Sequence, residues 1–225
     1  MSPSEIVCRA AAAGMDCIAI TDHQSAMNAP AMAECAKRAG MKCLFGIEVC
    51  TAEEVHTLAI FDTVPQAIAM TEWVYASMPK RVNDPDVFGD QPIVTGDDEI
   101  VDMEWRILAM GCRRSIQETS CKCREIGGLY IAAHIDRPNF SVYSQLGAIP
   151  EGCFDAVEFS RTADESLWMP KSGGLAAIRS SDAHNLDDVA KVWTEADVPV
   201  ATVATLKSAF DARRTRLSPQ LRSFH

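Results

Sequence analysis

The sequence predicts an α/β fold of the parallel-sheet class, and three observations carry that prediction. Short apolar strand patterns alternate with amphipathic helical patterns along most of the 225 residues, the alternation that βαβ units produce. The strand patterns stop at polar clusters, where parallel α/β architectures gather their functional side chains. A hydrophobic content of 48% at this length suits one large domain or a single α/β barrel with a sizeable core. No repeat, low-complexity run or composition break divides the chain, so residues 1–225 read as one domain.

The chain opens on Ser2-Pro3-Ser4-Glu5, a helix start with Ser2 as N-cap, Pro3 where its missing N–H costs nothing, and Glu5 able to reach back to the cap. The spacing predicts a helix over 3–14, with Ile6, Val7, Ala10 and Ala11 on one stripe and Gly14 as its stop. DCIAIT (16–21) is a short buried strand running into Asp22-His23-Gln24-Ser25. A helix from Pro30 to Arg38 stops at Gly40, and KCLFGIEV (42–49) is a second strand carrying Glu48. HTLAIF (56–61) is a third strand, followed by a helix over 65–78 with Ile68, Trp73, Val74 and Met78 on its apolar face.

Residues 79–96 place Pro, Asn, Asp and Gly at turn spacing and read as an irregular excursion, longer than an ordinary connection. Residues 97–128 read as helical in one or two pieces. Strands then end at His134 (GLYIAAHI), at Ser160 (DAVEFS), and at Asp182 and His184 (AAIRSSDAH). Residues 200–216 begin as a strand and close as a helix, and 217–225 form a frayed tail.

With 31 acidic against 21 basic residues the formal charge is -10, which opposes unaided binding to a phosphate backbone, so nucleic acid is a possible but not a favoured partner. The nine cysteines are odd in number and lie mostly within apolar patterns, as in a reduced cytoplasmic protein. Cys121 and Cys123 stand two apart, face different ways on a helix and have no second pair to answer them, which argues against a metal clip. No apolar run approaches the roughly 20 residues of a membrane span, and no export signal is present. The sequence also lacks a Gly-x-Ser-x-Gly elbow, a Gly-x-Gly-x-x-Gly turn and a Walker loop.

Four of the five histidines stand at strand ends or starts. His23, His134 and His184 share the ends with Glu48, Ser160 and Asp182, while His56 opens its strand. One such histidine is ordinarily a hydrogen-bonded, half-buried residue. Four of them with Glu48 and Asp182 form the nitrogen and oxygen donor set of zinc, manganese or iron(II). A shared Glu can bridge two such ions about 3.5–4 Å apart, a geometry suited to phosphoryl displacement.

These residues resemble the PHP domain (polymerase and histidinol phosphatase), a family of metal-dependent phosphoesterases on a distorted seven-stranded βα barrel. Ile20-Thr21-Asp22-His23 resembles its Thr-Asp-His strand end, Gly46-Ile47-Glu48-Val49 its bridging-Glu motif, and Glu54-Val55-His56 its Glu-Val-His opening of the next strand. Ala133-His134-Ile135-Asp136-Arg137 and Ser181-Asp182-Ala183-His184 are similar to its two later ligand motifs. The resemblance implies that His23, Glu48, His56, His134, Asp182 and His184 hold one to three divalent metals (Zn, Mn or Fe). Glu48 would bridge, His56 and His134 would complete one site, Asp182 would join the next, and His23 and His184 would serve a third. It places the chemistry on Asp182, His184 and His23, and suggests that Arg137 and Arg161 orient a phosphate.

The implied activity is hydrolysis of a phosphate ester of a small molecule or nucleotide through a metal-bound hydroxide; a weaker alternative is a nuclease. The family begins with a strand ending in His-x-His, and neither that strand nor that pair precedes Met1 here. The barrel is therefore expected to lack its first strand, through a start codon lying upstream or a genuine truncation. The Glu48, His56 and His134 site would be left most nearly whole, and the alternative of a catalytically impaired metal-binding module stays open.

Overall fold

A computed structural model describes residues 1–221. Its elements in chain order are α1 (Pro3–Ala12), β1 (Cys17–Ile20), α2 (Ala29–Ala39), β2 (Lys42–Cys50), β3 (His56–Phe61), α3 (Val64–Tyr75), α4 (Pro85–Phe88), β4 (Pro92–Val94), β5 (Ile100–Met103), α5 (Ile116–Ile126), β6 (Leu129–Ala132), α6 (Val142–Leu146), β7 (Ala156–Phe159), α7 (Glu165–Trp168), β8 (Ala176–Arg179), β9 (Thr194–Ala196), α8 (Val203–Asp211) and β10 (Thr215–Leu217). The predicted capping box is present: the Ser2 hydroxyl accepts from Glu5 N while Glu5 reaches back to the Ser2 N–H. None of the described helices is long and apolar enough to cross a membrane.

Six strands form the main sheet in the order β1-β2-β3-β6-β7-β8, curled as a half-barrel. The sheet is mixed, which corrects the expectation of a parallel one. β3 runs antiparallel to both β2 and β6, while the β1–β2, β6–β7 and β7–β8 pairs are parallel. The cause is the connection: Thr51–Val55 is far shorter than the dozen or so residues a parallel crossover needs. β2 and β3 are therefore a hairpin, with Cys50 opposite His56 and Glu48 opposite Leu58. Gly46 lets the two strands approach, since a Cβ there would lie 2.3 Å from Ala59 O.

Two apolar layers flank the sheet. Phe45, Ile47, Val49, Phe61, Tyr130 and Phe159 pack with α2, α3 and α5 on one face. On the other, Leu44, Leu58, Ile60, Leu129, Ile131, Ala156 and Ala176 meet Val203 and Phe210 of α8. Strand periodicity puts Glu48 on the same face as Leu44, His56 with Leu58, and Glu158 with Ala156. The second face is thus apolar where α8 covers it and polar at its other end.

Three further expectations need correction. Residues 97–128 are helical only in α5; Ile100–Met103 is instead a strand, paired with Pro92–Val94 in a two-stranded ribbon that occupies part of the 79–96 excursion. Its β-branched Ile-Val pair favours an extended backbone where a cross-strand partner exists. Residues 200–216 contain no initial strand: Thr202 caps α8, and the chain closes as β10, antiparallel to β9. The tail is partly structured, with Leu217 in β10 and buried Ser218 accepting Trp193 N–H through its hydroxyl at 2.9 Å. The rest of that expectation, residues 222–225, lies outside the described chain.

Candidate metal centre

The polar end of the half-barrel is organised around the Glu48 carboxylate. His56 Nδ1 and His134 Nε2 each lie 3.2 Å from Glu48 Oε1, and His23 Nδ1 lies 3.2 Å from Oε2. Each histidine arrives by a different local device. β1 ends at Ile20, but the chain runs on beside β2 as a single parallel bridge between His23 and Glu48. Gln24 N donates to Glu48 O at 2.8 Å and Glu48 N to Asp22 O at 3.0 Å. The buried Gln24 amide then donates to Cys50 O and Met110 O, locking this turn to the end of β2.

His56 is brought in by the reversal of β3, which places the start of that strand beside the ends of its neighbours. His134 follows β6 with φ 27, outside the strand region. Plain alternation would send its side chain to the face opposite Ala133; the left-handed residue re-aims it toward Glu48. Its N–H donates to Glu158 Oε2 at 3.0 Å. Glu158 is buried, and its carboxylate also accepts from the Ser180 hydroxyl.

Asp182 and His184 form the outer part of the cluster. The His184 ring centroid is 6.3 Å from that of His23, and its Nδ1 lies 3.7 Å from Asp182 Oδ1. Arg137 forms an ion pair with Asp182. The other predicted arginine goes elsewhere: Arg161 Nη1 pairs with Asp188 Oδ1 at 2.6 Å. Ser160 is likewise engaged, donating through its hydroxyl to Asp136 Oδ2 at 2.6 Å.

Electrostatics follow from this crowding. Burial alone would raise the Glu48 carboxyl, but hydrogen bonds from His134 and His56 and the imidazole charges of His56 and His23 outweigh it and hold it well below the usual carboxylate range. Burial lowers His23. Burial would lower His134 too, yet the Glu48 hydrogen bond and the charges of Glu158 and Glu48 raise it overall. Glu158 is pushed up, chiefly by burial.

The donor set fits a divalent cation. His23, Glu48 and His56 offer three ligand atoms within 4.8 Å of one another. Two donors about 2.1 Å from one ion in tetrahedral arrangement stand about 3.4 Å apart, close to the separations around Glu48. His134 Nδ1 is buried without a hydrogen-bond partner, an unmet polar atom of the kind that clusters at functional sites.

Three neighbours of the cluster lie outside the predicted site residues: Glu158, Gln24 and Phe140, whose ring stacks on the His56 imidazole. Glu158 had a signal, as a carboxylate set among the apolar residues Ala156, Val157 and Phe159, and Gln24 belonged to the polar cluster that follows the first strand; Phe140 had none.

The PHP domain family model matches residues 1–166, and a PHP-associated model matches residues 171–215. No curated protein matches the chain in sequence. Among solved structures, the lesion-specific endonuclease Q of Pyrococcus furiosus superposes with a TM-score of 0.66 at 18% identity, over 96% of this chain and 53% of that one. An endonuclease Q complex with a 27-mer duplex bearing an abasic lesion gives 0.65 at 17% identity, over 94% and 52%. The chain therefore spans about half the length of these two structures. A Bifidobacterium adolescentis protein, described provisionally as a metal-dependent phosphoesterase, gives 0.55 at 20% identity over 82% of both chains. With its family model covering most of the sequence and the histidine motifs converging in space, the chain belongs to the PHP domain family.

Proposed function

We propose that this protein is a metal-dependent phosphoesterase acting on the phosphate ester of a small molecule or nucleotide, and that its half-barrel is part of a distorted seven-stranded βα barrel. The observation that carries the reading is the single carboxylate of Glu48, met on one oxygen by His56 and His134 and on the other by His23. His56, His134 and Glu48 Oε1 would hold one divalent cation; Glu48 Oε2, His23 and Asp182 would hold a second, with His184 beside it. Bound there, such ions supply Lewis acidity and lower the pKa of coordinated water.

The chain's own residues do the rest. Glu48 offers one charge to two positions without moving. Arg137, held by Asp182, stands where a guanidinium can steer a phosphate oxygen. His184, with 65% of its side chain exposed, is the imidazole of the cluster most accessible to a leaving group or to solvent. Arg161 is bound to Asp188 and has a smaller part in this scheme.

After removal of metal and reconstitution with manganese or zinc, the protein should hydrolyse a generic aryl phosphate monoester, and Glu48→Gln should abolish both turnover and metal retention. Metal retained at the parent level in Glu48→Gln overturns the assignment. A second reading, cleavage of nucleic acid, is favoured by the likeness to the endonuclease Q structures and opposed by the charge of -10. It predicts turnover of an oligonucleotide that falls with salt more steeply than turnover of a mononucleotide. Bound metal with no turnover of any ester indicates the metal-binding module instead.

A further inference from the structure

The segment between β6 and α6 runs along the cluster and touches it repeatedly. His134 meets Glu48, Asp136 meets Ser160, Arg137 meets Asp182, and Phe140 meets His56. The first three are polar side chains with an electrostatic reason to be there. Phe140 is different: a large aromatic residue left 43% exposed at the rim, with its backbone in the left-handed region at φ 55. Bulky side chains are rarely found there, and such strain persists only where surrounding contacts enforce it.

Two contacts enforce it, and both go to His56. The Phe140 carbonyl accepts the His56 N–H at 2.8 Å, just past the last β3–β6 pair, Thr57 with Ala132. The Phe140 ring lies on the His56 imidazole, with centroids 4.7 Å apart and planes 15° apart. The next residue anchors the arrangement: buried Ser141 caps α6 and donates through its hydroxyl to Arg137 O at 2.7 Å. The main chain therefore holds His56 in place, and the ring lying flat on the imidazole opposes its rotation about χ2, a broad torsion that packing must fix.

We propose that Phe140 is a positioning residue for His56: its ring fixes the imidazole plane so that Nδ1 stays aimed at Glu48, and the strained backbone at residue 140 is maintained for that purpose. The proposal rests on the metal reading given above. Groups that orient a metal-binding histidine are usually hydrogen-bond acceptors on its far nitrogen; here an aromatic face takes that part.

Phe140→Gly is the informative variant. It removes the ring, keeps the carbonyl that accepts from His56, and relieves the left-handed strain, because glycine adopts positive φ freely. Full-length protein stripped with a chelator is titrated with Mn(II) by calorimetry, and its melting temperature is measured without metal. Phe140→Gly should bind Mn(II) about tenfold or more weakly, while its metal-free melting temperature stays within about 2 °C of the parent. Phe140→Tyr, which retains the ring, should bind Mn(II) as the parent does. Unchanged Mn(II) affinity in Phe140→Gly overturns the proposal, as does a fall in melting temperature of more than about 5 °C with the loss of affinity, which marks the ring as mere packing. A parent protein that binds no Mn(II) overturns the metal reading itself, a distinct result.

Discussion

Glu48 and His134 keep only 8% and 2% of their side-chain surface exposed, whereas His184, across from His23, keeps 65%. The inner group is held from several directions. Glu48 meets three imidazoles, and His134 is fixed through its backbone by Glu158. The outer group follows β8, the last strand of the sheet, and is held by the Arg137–Asp182 ion pair and by the contacts of His184 with Asp182. Burial fixes the position of a donor but leaves it dependent on its partners, since a buried polar group stripped of its partner is costly. Exposure leaves a donor free to move and to exchange with solvent. One cluster thus combines a preorganised half and an adaptable half.

Breaking the inner half should have the largest effect. Glu48→Gln should lower retained metal, measured by elemental analysis, by more than the about tenfold to hundredfold typical of outer partners. Next comes His134→Ala, which leaves a cavity beside buried Glu48 and Glu158; a cost of about 2 kcal/mol should lower the melting temperature of the metal-free protein by about 4–8 °C. His184→Ala should differ in kind, leaving stability within about 0.5 kcal/mol, as exposed substitutions do, while reducing turnover of the aryl phosphate. A large stability loss in His184→Ala, or none in His134→Ala, would erase the contrast.

The smallest effect lies behind the outer half. Hydrogen bonds from Arg161 and Lys191 lower the Asp188 carboxyl from 3.8 to about 2. A group depressed on folding adds stability above its unfolded pKa and loses it as pH falls through the folded value. Asp188→Asn should therefore be less stable than the parent at pH 7, with the gap closing as pH falls from about 4 to about 2 in acid titrations followed by circular dichroism.

The inner half is more legible in the sequence than the outer. Glu48, His23 and His134 stood out as polar residues closing apolar runs, and the structure brings all three together. His56 carried an unused clue: six residues between Val49 and His56 allow a hairpin and no crossover, so the reversal of β3 was readable from spacing. The left-handed turn at His134 was not, because no glycine marks it and tertiary contacts alone enforce φ 27. Arg161 looked equivalent to Arg137, each just past a strand, and nothing local announced that Asp188 would take it. The ribbon of β4 and β5 was missed because a four-residue strand is too short for its period to stand out.

The reversal of β3 also bears on the order in which the chain assembles. Glu48 and His56 belong to one hairpin, so their approach requires closing only a short loop and can occur on the microsecond scale of such hairpins. His134 reaches Glu48 from 86 residues away, and Asp182 lies farther still along the chain. Contacts of that separation are won late, after a larger loss of chain freedom. The first carboxylate–imidazole pair can therefore form while the rest of the cluster is still distant, so a cation held at the proposed centre would meet Glu48 and His56 first.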